Sequence, residues 1–354
     1  MSIQVLIRKR VSRHFYLETD FDNDDTCLGI LGASGCGKSM TLKCIAGIET
    51  PDEGYISVNG RVLFDSRRKI NLKPQARHVG YLFQNYALFP RMTVLKNITV
   101  ALSLAKPEKL KKARSWLSRF GLTDLEDRYP RQLSGGQQQR TALARMLIQD
   151  PECILLDEPF SALDTHLREQ MQIQLLTMLE SRHDVIMVTH SRDEAYRLCD
   201  TLLVMDRGRV LTKGATKTLF QHPGSVPVAR ITGCKNISPI RRTGLHTLYA
   251  LDWGLSLQVP VPIEDSITHV GIRAHDFTPL WKTPDPASGR YNQVRIAITR
   301  RSEEPFEQVL LFTNGDASSP AEQGELWWKY SKYQYKDIPQ WLCIPPEGLL
   351  LLRS

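Results

Sequence analysis

Gly32-Ala33-Ser34-Gly35-Cys36-Gly37-Lys38-Ser39 decides the reading of this chain: glycines at fixed spacing, then a lysine and a hydroxyl, lie between two apolar segments. Cys27 to Leu31 predicts a strand, and Met40 to Ala46 a helix whose unpaired N-terminal amides point at an anion. A Cβ at the glycines would keep the backbone from wrapping a phosphate. Lys38 reaches the β- and γ-phosphates, and Ser39 is placed to ligate Mg²⁺. The ligand implied is a nucleoside triphosphate held from Gly32 to Met40. Cys36 admits two readings, a small filler residue or a reactive thiol whose pKa is lowered by the helix N-terminus.

Downstream, Cys153-Ile154-Leu155-Leu156 predicts a buried strand that delivers Asp157 and Glu158 at its carboxyl end. Adjacent carboxylates there are costly unless a cation or a proton-transfer task uses them. Asp157 suits a Mg²⁺ shell, and Glu158 suits polarising the water that attacks a γ-phosphate. A further apolar run, Asp184 to Thr189, ends in His190. In doubly wound sheets the ligand lies beyond the strand carboxyl ends, which would gather Lys38, Asp157, Glu158 and His190 at one edge.

Leu133-Ser134-Gly135-Gly136-Gln137-Gln138-Gln139-Arg140 is a second anion cradle at a helix N-terminus, and it resembles the signature of ATP-binding cassette (ABC) ATPases. Over residues 1 to 230 the family's motifs occur in order. The resemblance implies ATP and Mg²⁺ as cofactors, with Mg²⁺ on Ser39, Gln84 and Asp157. Gln84 is the loop glutamine between ATP and a transporter, Glu158 the catalytic carboxylate and His190 the switch histidine. Ser161-Ala162-Leu163-Asp164 is the dimer-contact loop, with Asp164 at the nucleotide. Ser134, Gly135, Gly136 and Gln137 close over ATP held by a second cassette. Relatives stack adenine on an aromatic near the N-terminus. Phe15 is the candidate and Tyr16 is read as core or surface, with the alternative that neither stacks.

Length fits a cassette plus a smaller domain: 354 residues, with an ATPase domain over 1–230, a helical lobe over about 85–150, and a β-rich regulatory domain over 235–354. The expected fold is α/β, a phosphate-loop NTPase cassette with antiparallel β and helical subdomains, followed by a small β-barrel-like domain. Asn59-Gly60 marks a hairpin, Arg207-Gly208 another turn, and Ser191 to Glu194 a capping box. No apolar run approaches the roughly 20 residues that span a bilayer, and Met1 to Ile7 alternates like a strand, so the chain is expected to be cytosolic. Seven scattered cysteines indicate neither a disulfide framework nor zinc. The net charge of +8 fits a solvated surface, or else an anionic membrane face or nucleic acid.

The β-rich segment is similar to the regulatory extension of importer ATPases for oxyanions, sugars and polyamines. Its Arg273 and His275 are either anion contacts or ordinary strand-end residues, and the cluster Trp327 to Tyr335 is a nucleic-acid stacking face, a β-domain face or a dimer contact. The stretches Arg61 to Ser66, Ile70 to Pro74 and Arg77 to Gln84 resemble those of molybdate importer ATPases. Implied partners are a second cassette in a homodimer, integral membrane permease subunits and, indirectly, a solute-binding protein, at the cytoplasmic face of the membrane and without nucleic acid. The alternatives are iron, polyamine or sugar import, or a soluble ABC ATPase acting on nucleic acid or ribosomes.

Overall fold

The computed structural model describes residues 2–161, 168–169, 171–173, 175, 184–283, 292–316, 324–335 and 337–354. The chain divides into two compact units, Met1–Thr216 and Lys217–Ser354. Residues 217 to 230, read from the sequence with the ATPase domain, fall in the second.

The first unit is built on one 11-stranded sheet. Its antiparallel part comprises β1 (Ile3–Arg10), β2 (Tyr16–Asn23), β4 (Glu53–Val58), β5 (Arg61–Asp65) and β6 (Ile70–Asn71). Asn59 and Gly60 both have positive φ, 50° and 76°, which gives the β4–β5 turn the twist a two-residue hairpin needs. The parallel part comprises β3 (Cys27–Gly32), β7 (Val79–Leu82), β8 (Cys153–Asp157), β9 (Asp184–Thr189) and β10 (Thr201–Asp206). β11 (Arg209–Ala215) returns antiparallel to β10, and the sheet order is β6-β5-β4-β1-β2-β11-β10-β3-β9-β8-β7.

The parallel strands are apolar throughout because both faces are covered. Along β8, Cys153 and Leu155 join the cluster that includes Leu42 and Ile45, whereas Ile154 and Leu156 join the cluster that includes Leu117 and Leu143. Leu42 and Ile45 belong to α1 (Lys38–Ala46). Leu117 and Leu143 belong to a helical lobe of α2 (Val94–Thr99), α3 (Lys106–Arg119) and α4 (Gly135–Leu147). In α3 the apolar positions Ala113 and Leu117 are buried and the lysines face outward, as their spacing requires.

Arg77, 1% exposed, donates from Nη1 to the carbonyls of Cys44 and Ile45 at 2.8 Å each, and from Nε to Leu72 O. Its guanidinium therefore satisfies the last carbonyls of α1, where a cation is favoured by the helix dipole. Arg77 thus braces the helix that begins at the phosphate loop.

The capping box at Ser191 forms on one side only. Ser191 Oγ accepts from Glu194 N at the start of α5 (Arg192–Leu198), but the Glu194 carboxylate accepts instead from Thr189 Oγ1 at 2.5 Å, and Thr189 Oγ1 accepts from Ser191 N. Burial pushes the Glu194 carboxyl up, against the Thr189 hydrogen bond that lowers it.

The second unit holds two five-stranded sheets, both antiparallel throughout. One runs β14-β13-β12-β15-β21 and contains β12 (Asn236–Arg242), β13 (Thr247–Ala250), β14 (Leu255–Gln258), β15 (His269–Ile272) and β21 (Leu349–Leu352). The other runs β16-β20-β17-β18-β19 and contains β16 (Thr278–Leu280), β17 (Gln293–Glu303), β18 (Glu307–Asn314), β19 (Leu326–Ser331) and β20 (Trp341–Cys343). The Asn236 side chain stitches them: its Nδ2 donates to Trp327 O at 2.9 Å and its Oδ1 accepts from Trp327 N at 2.7 Å, a pair that imitates a strand ladder.

Trp328 and Tyr330 are 1% and 6% exposed, stacked with ring centroids 4.2 Å apart inside this unit's core, so these two rings of the aromatic cluster serve packing. Arg273 gives its guanidinium to the carbonyls of Thr232 and Phe220, which leaves it a structural residue of this unit. All seven cysteines are free thiols.

Candidate functional site

The loop from Gly32 to Ser39 follows β3 and opens α1, whose first turn contains no acidic residue. Lys38 is 4% exposed and donates to the carbonyls of Gly32 and Ala33 at 2.9 Å each. Among the described residues it has no ion-pair partner, so a buried positive charge stands at a helix N-terminus. That arrangement favours an anion. Gly37 caps the helix at φ 111°. The glycine at 32 is required for a different reason from the one its spacing suggests: a Cβ there would stand 2.3 Å from the carbonyl oxygen of Met205, a collision with the neighbouring strand.

The back of the loop is held by the turn between β10 and β11. Gly208 N donates to Cys36 O at 2.9 Å, and Gly208 O accepts from Glu18 N at 2.7 Å. Gly208 has φ 82°, and a Cβ on it would lie 2.1 Å from Tyr16 O. Gly208→Ala is therefore expected to cost about 1–3 kcal/mol of stability and to weaken nucleotide affinity, read by thermal melting and by ATP titration. Native values in both would mean that the turn does not hold the loop.

A cleft of about 620 Å³ adjoins this loop, with Ala33 to Cys36 beneath, His14, Phe15 and Tyr16 on one side and Asp206, Arg207 and Arg209 on the other. Phe15 is half-buried against the core, Tyr16 is 46% exposed, and the fully buried residue of this run is Leu17. Both aromatic rings thus border the cleft. Met40 packs against the apolar cluster beneath the loop. Cys36 is 4% exposed, and burial pushes its thiol up although Lys38 opposes the shift, which favours the filler reading over a thiol activated in the free loop.

Beyond the carboxyl ends of β8 and β9 the two acids have separate partners. Asp157, 4% exposed, accepts from Ser39 Oγ at 2.6 Å on Oδ1 and from Tyr81 OH at 2.8 Å on Oδ2. Glu158 accepts from Gln84 Nε2 at 3.1 Å on Oε2, and its Oε1 stands 3.3 Å from His190 Nδ1. Glu158 has φ 47°, held by its own N–H to Val188 O and by Ser161, which donates to its carbonyl from both N and Oγ. Lys38, Ser39, Gln84, Asp157, Glu158 and His190 thus come from four separated segments to one sheet edge. The donor set suits Mg²⁺: a hydroxyl and a carboxylate, with remaining positions open to phosphate and water.

Ser134 caps α4 with its side chain accepting from Gln137 N, while Ser134 N donates to Gln137 Oε1, and Gly135 and Gly136 form the first turn. Asp164 lies outside the described residues, with Ala162 and Leu163. Gln139, which its neighbours in the glutamine run obscured, is fully buried and donates to Pro159 O at 2.9 Å. Arg145 donates to the carbonyls of Tyr86 and Ala87, two consecutive left-handed residues just after Gln84.

A family model described as ABC transporter matches residues 21–161. The chain is 43% identical over 216 residues to an Fe(3+) ions import ATP-binding protein of Haemophilus influenzae, covering 60% of this chain and 61% of that protein. It is 41% identical to a spermidine/putrescine import ATP-binding protein of Nitratidesulfovibrio vulgaris, covering 59% and 56%. With a sulfate/thiosulfate import ATP-binding protein of Synechocystis sp. the identity is 36% over 295 residues, covering 81% and 78%. The matched region is thus less than two thirds of the length of the iron and polyamine relatives. Among solved structures, a dimeric ATP-binding cassette in a post-hydrolysis state with ADP and Pi is similar at a TM-score of 0.52 and 27% identity, covering 61% of this chain and 99% of that one.

Proposed function

The chain belongs to the ABC transporter family, with the fold of its ATP-binding cassettes, and from that membership we propose that it hydrolyses ATP to ADP and phosphate to energise import by a separate membrane permease. The observation that carries this reading is the meeting of Lys38, Ser39, Gln84, Asp157, Glu158 and His190 at one sheet edge. Lys38 and the loop amides bind and orient the phosphates. Glu158 takes the proton of the attacking water, and Gln84 and His190 hold its two oxygens in place. Ser39 and Asp157, with Gln84 beside them, would hold Mg²⁺, which when bound neutralises charge on the phosphates. Ser134 to Gln137 present a second helix N-terminus to ATP on the partner of a homodimer, in keeping with the dimeric cassette that resembles this chain. We read Phe15 as the aromatic that faces adenine, and Asp164, outside the described residues, as part of the dimer-contact loop that the resemblance implies.

For the cargo we propose an oxyanion, molybdate first, with tungstate or sulfate as its relatives. Two things support this class: the motif resemblance from Arg61 to Gln84, and a sulfate/thiosulfate relative whose match covers 81% of this chain. The iron and polyamine relatives have the higher identity, over about 60% of the chain, and make those cargoes the second reading. The second unit is read as regulatory, and the protein as peripheral at the cytoplasmic face of the membrane. No helix among the described residues is long and apolar enough to cross a membrane.

The test is uptake of radiolabelled molybdate by cells carrying the intact transporter, with tungstate, sulfate, iron and spermidine as competitors. The expected result is ATP-dependent molybdate entry that tungstate suppresses and that stops when Glu158 is replaced by Gln. Competition by spermidine or iron alone would overturn the oxyanion reading and leave the ATPase reading in place.

A further inference from the structure

Asp157 is a carboxylate at the end of an all-buried strand, and such a group requires partners for both oxygens. Its two oxygens are treated differently. Oδ1 accepts from Ser39, the hydroxyl that is itself a candidate metal ligand, whereas Oδ2 accepts at 2.8 Å from the phenol of Tyr81. Tyr81 lies on the neighbouring strand β7, with its Cα in register with Leu155. Its ring is partly buried against the core and lies 4.5 Å from the ring of Phe83. The ring is thus held by packing, and its hydroxyl reaches Asp157.

Were Ser39 to ligate a cation, Oδ1 of Asp157 would lose this donor, while the phenol on β7 would still hold Oδ2. We propose that Tyr81 is a positioning residue, whose O–H holds one oxygen of Asp157 so that the other is presented to the divalent cation of a bound nucleotide. This rests on the ATP-binding reading above. The phenol touches neither nucleotide nor cation; it acts through the carboxylate, as hydrogen-bonded outer groups orient metal ligands generally.

Tyr81→Phe deletes one oxygen and leaves the packed ring. The experiment is fluorescence titration of the full chain with trinitrophenyl-ATP, first in EDTA and then at rising Mg²⁺. The variant is expected to bind the nucleotide in EDTA as the native protein does, while the Mg²⁺ concentration giving half of the cation-dependent signal rises about tenfold. An unchanged Mg²⁺ requirement would overturn the proposal. So would an equal loss of binding with and without Mg²⁺ accompanied by a lower melting temperature, since that is the signature of a packing residue. Absence of nucleotide binding by the native protein would remove the ATP-binding reading itself, and the proposal with it.

Discussion

Replacing Glu158 by Gln is expected to lower ATP turnover by about 10²- to 10⁴-fold and to leave ATP binding intact. The carboxylate has two neighbours, Gln84 Nε2 on one oxygen and His190 Nδ1 on the other. An amide of the same shape keeps the packing and an acceptor, but it has no basic oxygen to take a proton from water. Binding depends on Lys38 and the loop amides, which the substitution does not touch. ATP should therefore persist, and in the proposed homodimer it should accumulate as a nucleotide-trapped pair of cassettes. Phosphate release and light scattering with ATP present read both effects. Turnover within a few-fold of native would sink the assignment of Glu158 as the proton acceptor.

Lys38→Ala is expected to weaken ATP binding by about 2–5 kcal/mol, roughly thirty- to several-thousand-fold in Kd. The ammonium is 4% exposed and held by two backbone carbonyls. Neither carbonyl neutralises it, so the charge is available to a phosphate in a site where water screens it poorly. The native protein should gain melting temperature when ATP is added, because the ligand binds the folded state alone. In the variant that gain should vanish. An ATP-induced shift of native size would show that the lysine does not carry phosphate binding.

Much of the site was legible because it lies in contiguous motifs. The phosphate loop, the acids after Leu156, the histidine after Thr189 and the serine cap before Gly135 are each local patterns, and the strands and helices that hold them follow the expected periodicities. What escaped reading depends on contacts between distant segments. Tyr81 meets Asp157 across 76 positions. Gly32 is needed because of Met205, and Gly208 because of Tyr16. Arg77 reads as one basic residue among many until its partners prove to be the final carbonyls of α1. Of the two readings of Cys36, burial favours the filler: it pushes the thiol up against the pull of the nearby Lys38. At Glu194, a capping pattern that is locally complete lost its carboxylate to Thr189.

The interior strand β3 has a further consequence, for biosynthesis. Among the described residues its sheet partners are β9 and β10, which begin at Asp184 and Thr201. On a ribosome adding roughly 5–20 residues per second, Cys27 is made about eight to thirty seconds before Asp184. In that interval β3 is an apolar strand with two unpaired edges. The β1–β2 and β4–β5 hairpins can pair as they emerge, since their partners are close in sequence. The nucleotide site is therefore expected to mature late in the first unit, after the strands that flank the phosphate loop's strand have been made.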